Sequence, residues 1–197
     1  SALPSDSPEL KAMAGLPLPG VSMRVVDKDY KIVNSNETGE LLYKGPGLMI
    51  GYANLLDGSS GINDDGWFAT GDLATMNDDG YINIVGRSKE MIIRGGENLY
   101  PIEIENYLLE HPGIFEVAVF GLPDPKYEEE CCAVVRVDST QLDNPEQLRE
   151  WCKDRISRWK IPKYIFFTDS FPITPSGKIQ KYKLQEQYIE QLALKSN

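Results

Sequence analysis

The chain is poor in the residues most catalytic sites are built from: of its 197 residues one is histidine, His111, and three are cysteine, Cys131, Cys132 and Cys152. With the lone histidine set before Pro112 at what reads as a helix stop, neither a Ser-His-Asp nor a Cys-His set is expected, and no Cys/His metal cluster can be assembled. An odd number of cysteines, two of them adjacent, is not a disulfide framework and points to a reducing compartment. Positive charge is also scarce. Twenty Lys+Arg against thirty Asp+Glu give a formal charge of −10, a field that repels nucleic acid and anionic membranes. No apolar run approaches the ~20 residues of a membrane span, and no basic-then-apolar targeting segment opens the chain. A soluble, intracellular protein is expected, with mitochondrion and cytoplasm undistinguished. What is present is globular in kind: 41% hydrophobic and 25% charged residues, with 17 Gly and 13 Pro, enough for one large or two small domains. The opening SALPSDSPELKAMAGLPLPG has no initiator Met and reads as an excised piece whose first turns leaned on something upstream.

After Gly20, VSMRVVDKDYKIV and ETGELLYKGPGLMIGYA are alternating or β-branched runs broken by Asn, Asp and Gly, which predicts antiparallel strands. Asn63-Asp64-Asp65-Gly66 before Trp67 and Asn77-Asp78-Asp79-Gly80 before Tyr81 read as two consecutive hairpin turns. Their aspartates do not match the spacing of an EF-hand loop. From Gly86 the texture becomes mixed. Pro101 suits a first helical position, Ile104 and Leu108 are four apart, and Pro112-Gly113 is a stop. Ile114 to Gly121, Cys131 to Val137 and Tyr164 to Phe167 read as strands. Asn144-Pro145-Glu146-Gln147 opens a helix with an apolar face of Leu148, Trp151, Cys152 and Ile156. Leu184, Tyr188, Ile189 and Leu192 form a stripe on a last helix, about 182–194. The expected fold class is α+β: a β-rich subdomain over 1–86, a hinge over 87–90, and a small mixed α/β domain over 91–197.

Four segments bear chemistry. In Thr70-Gly71-Asp72 a carboxylate at a strand end can accept two hydrogen bonds from a vicinal diol such as a ribose, or simply close a turn. Gly86-Arg87-Ser88-Lys89-Glu90 is either a solvated linker or a hinge at a packed junction, since Met91-Ile92-Ile93 follows. Arg94-Gly95-Gly96-Glu97-Asn98 before the Pro101 helix is a place for close backbone approach. It suits phosphate or, given Glu97, Glu103 and Glu105, the passage of a neutral ligand arm. Pro172-Ile173-Thr174-Pro175-Ser176-Gly177-Lys178 sets a lysine on a stiffened turn with Lys181 and Lys183 nearby. It fails as a P-loop, lacking Gly at Pro172 and Ser/Thr at Ile179. It is either an exposed loop lysine or an ammonium presented to a developing negative charge. Gly45 to Gly51 misses the dinucleotide fingerprint by one residue.

Taken in order, TGELLYKGPGLMIGY, DDGWFATGDLA, GYINIVGRSKEMIIRGGENLYPIEIEN and PITPSGKIQK resemble the C-terminal part of the adenylate-forming enzymes, from about Leu16 to Leu194 and most like the fatty, medium-chain acyl-CoA synthetase branch. The resemblance implies an ATP-dependent ligase that joins a carboxylic acid, presumed a fatty acid, to CoA through an acyl-adenylate, with Mg2+ accompanying ATP and AMP and pyrophosphate as products. It implies that Asp72 holds the ribose, that Arg87 joins it on the nucleotide, and that Lys89 is the hinge. It further implies that Lys178 is the catalytic lysine reaching acyl carboxylate and α-phosphate, and that Gly95-Gly96 lines the tunnel for the CoA arm. The family's upstream phosphate-binding loop and acyl pocket are absent from this sequence, so the 197 residues alone are expected to be inactive without the upstream remainder of their chain. Two alternatives stand beside this: an adenylation domain that loads a carrier protein, and a non-catalytic interaction module on the same scaffold.

Overall fold

A computed structural model of the chain describes residues 2–50 and 61–195, which fall into two compact units, Ser1–Lys89 and Glu90–Asn197. In the first, β1 (Ser22–Val26), β2 (Gly39–Lys44), β3 (Phe68–Met76) and β4 (Ile82–Arg87) form one antiparallel sheet in chain order. Val25, Leu41, Ala74 and Ile82 make its core. The strand expected to run on from β2 through Ala53 stops at Lys44. Pro46 has no N–H for a ladder, and the chain turns instead, with Leu48 N–H donating to Gly45 O at 3.1 Å. Residues 51–53 of that expectation lie outside the described residues.

The two Asn-Asp-Asp-Gly turns are built alike. In each the Asn side-chain oxygen accepts the N–H of the following aromatic residue, at 2.9 Å from Trp67 and 2.8 Å from Tyr81. The Asn N–H donates to that residue's carbonyl and the Gly N–H to the Asn carbonyl. Gly66 and Gly80 lie at φ +79° and +82°, a region that favours glycine. The opening segment forms a short helix, α1 (Pro8–Ala12), capped by Ser7. It is held to the sheet by a Gly15–Ile82 bridge and by the Tyr81 hydroxyl, which donates to Asp6 at 2.6 Å.

The second unit has a mixed sheet ordered β6 (Glu97–Leu99), β5 (Ile92–Arg94), β8 (Glu128–Val137), β7 (Ile114–Asp124). β9 (Tyr164–Phe167) joins β8 in parallel along Cys132–Val135. Alternation along β7 and β8 sends side chains to opposite faces. Val117, Val119, Cys131, Ala133 and Val135 meet Ile104 and Leu108 of α2 (Pro101–Leu108) and Leu148 and Cys152 of α3 (Pro145–Cys152). Ala118, Phe120, Cys132 and Val134 meet Leu184 and Tyr188 of α4 (Lys181–Lys195). The adjacent cysteines therefore serve different cores. All three are buried and unpaired, and loss of hydration pushes each thiol up, to about 11 for Cys152.

Both long strands outrun their expected spans. The acidic run Glu128-Glu129-Glu130 pairs as strand because two of its carboxylates find donors. Glu129 accepts the Ile93 N–H at 2.8 Å and Glu130 holds Arg94. α3 is capped as expected, with Asn144 accepting from Gln147 N at 3.1 Å, while the Gln147 side chain reaches back to Asp143 N instead of the cap residue's own. α3 ends before Ile156, although Ile156 still packs on the core. On α4, Ile189 leaves the expected stripe and is exposed.

Candidate functional site

β3 carries Thr70, Gly71 and Asp72 where its register with β2 breaks: Glu40 pairs Leu73 and Leu42 pairs Ala69, so the three residues face Leu41 alone. A bulge of this kind re-aims a side chain. Gly71 takes φ +72° within it. The Thr70 hydroxyl fastens it, donating to Leu41 O at 2.8 Å and accepting from Asp72 N at 3.0 Å. On the other edge Asp72 is the register partner of Arg87, and Arg87 Nε lies 2.7 Å from Asp72 Oδ1. Asp72 Oδ2 takes no hydrogen bond among the described residues. Arg87 also reaches Thr70 O at 3.4 Å, and the Ser88 hydroxyl donates to Gly71 O at 3.2 Å. An acceptor with one free oxygen thus stands beside a guanidinium that is 59% exposed. That pairing can take a diol and an anionic group side by side. Lys89 sits in the one-turn 3-10 segment Ser88–Glu90, exposed, as the last residue of the first unit.

The second unit holds the other candidates. Gly95 and Gly96 form the turn between β5 and β6 at φ +59° and +88°. Gly95 N–H donates to Tyr127 O at 2.9 Å, and a Cβ on Gly95 would come within 3.1 Å of the Tyr127 ring. Arg94, next in chain, is clamped: Nε and Nη2 bond the two oxygens of Glu130 at 2.6 and 3.1 Å, and its guanidinium lies over the Tyr127 ring at 4.7 Å. Glu130 is almost fully buried, and Lys163 Nζ is 3.5 Å from its Oε1.

Lys178 occupies a turn of the same design as those at Asn63 and Asn77. Thr174 N–H donates to Lys178 O at 2.8 Å, and Gly177 N–H to Thr174 O at 2.9 Å. Lys178 N–H donates to the Thr174 hydroxyl at 3.0 Å, and Gly177 lies at φ +83°. Lys178 thus stands where Trp67 and Tyr81 stand in the other two. Ile173 and Ile179 bridge below it, and Gln180 N–H closes on Pro172 O at 2.8 Å. The Lys178 side chain is exposed and its ammonium has no partner among the described residues. Asp72 and Arg87 are brought together in one unit, and Lys178 and Gly95-Gly96 belong to the other. Three contributors escape a reading by motif. The acidic run hides Glu130, although a carboxylate inside a strand pattern is a usable signal. Thr70 and Ser88 act on backbone groups, the carbonyls of Leu41 and Gly71 and the Asp72 N–H, and leave no such mark. Among the described residues no three of His, Cys, Asp and Glu gather as metal ligands.

Known proteins resemble the chain over most of its length. The profile of the AMP-binding enzyme family matches residues 2–53, and that of the AMP-binding enzyme C-terminal domain matches residues 103–178; together they take in more than half of the chain. The chain belongs to the AMP-binding, adenylate-forming enzymes, in the company of acyl-CoA ligases. It is 45% identical over 185 residues to YngI of Bacillus subtilis (strain 168), which bears a provisional acyl-CoA synthetase name, across 93% of this chain and 34% of that protein. It is 42% identical over 194 residues to the mitochondrial medium-chain acyl-CoA ligase ACSF2 of Homo sapiens, across 97% of this chain and 32% of that one. The fold matches ATP-bound MatB from Rhodopseudomonas palustris at a TM-score of 0.84 and 36% identity, over 90% of this chain and 36% of that chain. The chain spans about a third of the length of the curated relatives it matches. Among the described residues no helix is long and apolar enough to cross a membrane.

Proposed function

We propose that this chain serves an ATP-dependent acyl-CoA synthetase, supplying part of the nucleotide site from its first unit and the moving lid from its second. A carboxylate oxygen attacks the α-phosphorus of ATP and pyrophosphate leaves. The CoA thiol then attacks the acyl carbonyl, loses its proton, and AMP departs. Asp72 accepts the ribose hydroxyls through its free oxygen while Arg87, held against it, faces the nucleotide. Lys178, on a turn that fixes its backbone and leaves its ammonium untied, meets the charge that gathers between carboxylate and α-phosphate. Gly95-Gly96, with no side chains of their own, line the passage of the uncharged CoA arm. Rotation at Lys89 exchanges the two faces of the lid between half-reactions. The Mg2+ that accompanies ATP shields its phosphates when bound. The three unpaired cysteines fit an intracellular site of action, and a fatty acid is the favoured acyl donor because the chain resembles acyl-CoA ligases of that branch. The chain alone, at a third of its relatives' length, is not expected to turn over.

The observation that carries this reading is the bulge on β3 that sets Asp72 against Arg87 with one carboxylate oxygen to spare. The test uses the full-length protein containing this chain, a panel of carboxylic acids, ATP, and either CoA or a carrier protein as acceptor. Acid-dependent pyrophosphate exchange and CoA thioester formation are expected, with Lys178→Ala cutting adenylate formation by orders of magnitude while thioester formation from supplied acyl-adenylate survives. Equal loss of both half-reactions refutes the role of Lys178. Transfer to the carrier protein alone refutes the CoA assignment, and no acid-dependent turnover refutes catalysis.

A further inference from the structure

We propose that Glu90, Lys181 and Glu105 form a clasp that positions Lys178 for adenylate formation, a role that rests on the function proposed above. Lys181 Nζ lies 2.8 Å from Glu105 Oε1 and 3.0 Å from Glu90 Oε2. The three residues come from separate elements. Glu90 follows Lys89 directly, and Glu105 is on α2, where its Oε1 also accepts the Val119 N–H of β7 at 2.8 Å. Lys181 opens α4, one residue beyond the Gln180–Pro172 hydrogen bond that closes the Lys178 hairpin. The hairpin's foot is thereby tied to the sheet, to α2 and to the residue directly after Lys89, while Lys178 itself stays free at its tip.

Charge explains why the tie holds. Burial works against the Lys181 ammonium, but the attraction and hydrogen bonds of Glu105 and Glu90 together outweigh it and hold the group above the usual lysine range. An ammonium under two carboxylates is a poor device for stability alone, since an apolar side chain of similar size avoids the desolvation cost. What three charges from three elements do provide is a fixed geometry, and small displacements of a reacting group are expensive in rate. A rotation at Lys89 begins next to one end of this clasp, so the arm bearing Lys178 moves with the second unit as one piece.

The test uses the full-length enzyme with Lys181→Met, Lys181→Arg and Glu90→Gln. Each is assayed for acid-dependent ATP–pyrophosphate exchange and, separately, for CoA thioester formation from supplied acyl-adenylate. Lys181→Met is expected to lower kcat for exchange on the order of a hundredfold, leaving KM for ATP and the thioester step within about twofold, and Lys181→Arg to restore most of the loss. Glu90→Gln keeps the Glu105 pair, and so the fold, and is expected to give a smaller loss in the same half-reaction. It decides the matter if Lys181→Met does not fold. Equal losses in both half-reactions, or exchange that ignores Lys181 and Glu90, overturn the clasp. Failure of the functional reading shows separately, as no acid-dependent exchange in the unmutated enzyme.

Discussion

Asp72 and Arg87, partners across β3 and β4, meet at 2.7 Å with the arginine largely in water. An ion pair so placed adds little to stability, commonly under ~1 kcal/mol, so its worth lies in what it presents. Asp72→Ala is expected to change the unfolding free energy by less than ~1 kcal/mol. In the full-length enzyme it should raise KM for ATP roughly ten- to a hundredfold, as loss of a hydrogen bond to a charged group does. Denaturant titration and steady-state kinetics check the two halves, and a large stability loss with unchanged KM contradicts the assignment.

Gly95 and Gly96 separate backbone strain from crowding. Both have left-handed φ, but a Cβ on Gly95 meets the Tyr127 ring at 3.1 Å whereas one on Gly96 meets nothing within 4 Å. Gly96→Ala is expected to cost about 1 kcal/mol and Gly95→Ala more. If the turn admits the CoA arm, each should slow thioester formation and leave pyrophosphate exchange near normal. Unchanged thioester rates for both refute the tunnel.

Arg94 and Glu130 form the clamp behind that turn. Arg94→Met strands a buried carboxylate that keeps, among the described residues, one cation nearby, Lys163 at 3.5 Å. A loss of about 3–5 kcal/mol is expected, read as a fall in the urea midpoint. A loss under ~1 kcal/mol shows that water reaches Glu130.

Asp124 carries an acid-sensitive contribution. The Lys163 ammonium at 2.7 Å and the N–H groups of Lys126 and Tyr127 pull its carboxyl down to about 2. A carboxyl whose folded value lies below its unfolded one, near 4, stabilises fully above the unfolded value and loses that contribution as the pH falls through the folded one. The stability gap between the natural chain and Asp124→Asn should close between about pH 4 and pH 2. Urea midpoints across that range check it, and a constant gap refutes it.

The cysteines should be silent until the chain opens. With Cys131, Cys132 and Cys152 buried and their thiols pushed up, alkylation at neutral pH is expected only in denaturant. Labelling of any of them in the native chain contradicts the packing.

Local features were legible in the sequence because their causes are local. The Asn144 cap, the Pro101 start and both Asn-Asp-Asp-Gly turns each rest on side chains within a few positions. The bulge around Asp72 was not, since it depends on how two other strands register against β3. The extension of β8 through three glutamates is hidden in the sequence because an acidic run carries no apolar alternation, and the donors that justify it, Ile93 and Arg94, lie far away in sequence. In the sequence Lys181 is only one more positive charge near Lys178, because its carboxylate partners come from two other elements.

The turn that bears Lys178 recurs twice in the first unit with an aromatic residue in the lysine's place, and in all three the occupant contributes only backbone N–H and C=O groups to the ring of hydrogen bonds. The ring of hydrogen bonds is a socket indifferent to the side chain plugged into it. Chemistry there can be gained, lost or exchanged by a single codon without renegotiating the fold, and a rate that vanishes when Lys178 is replaced can be charged to the missing ammonium rather than to a damaged scaffold.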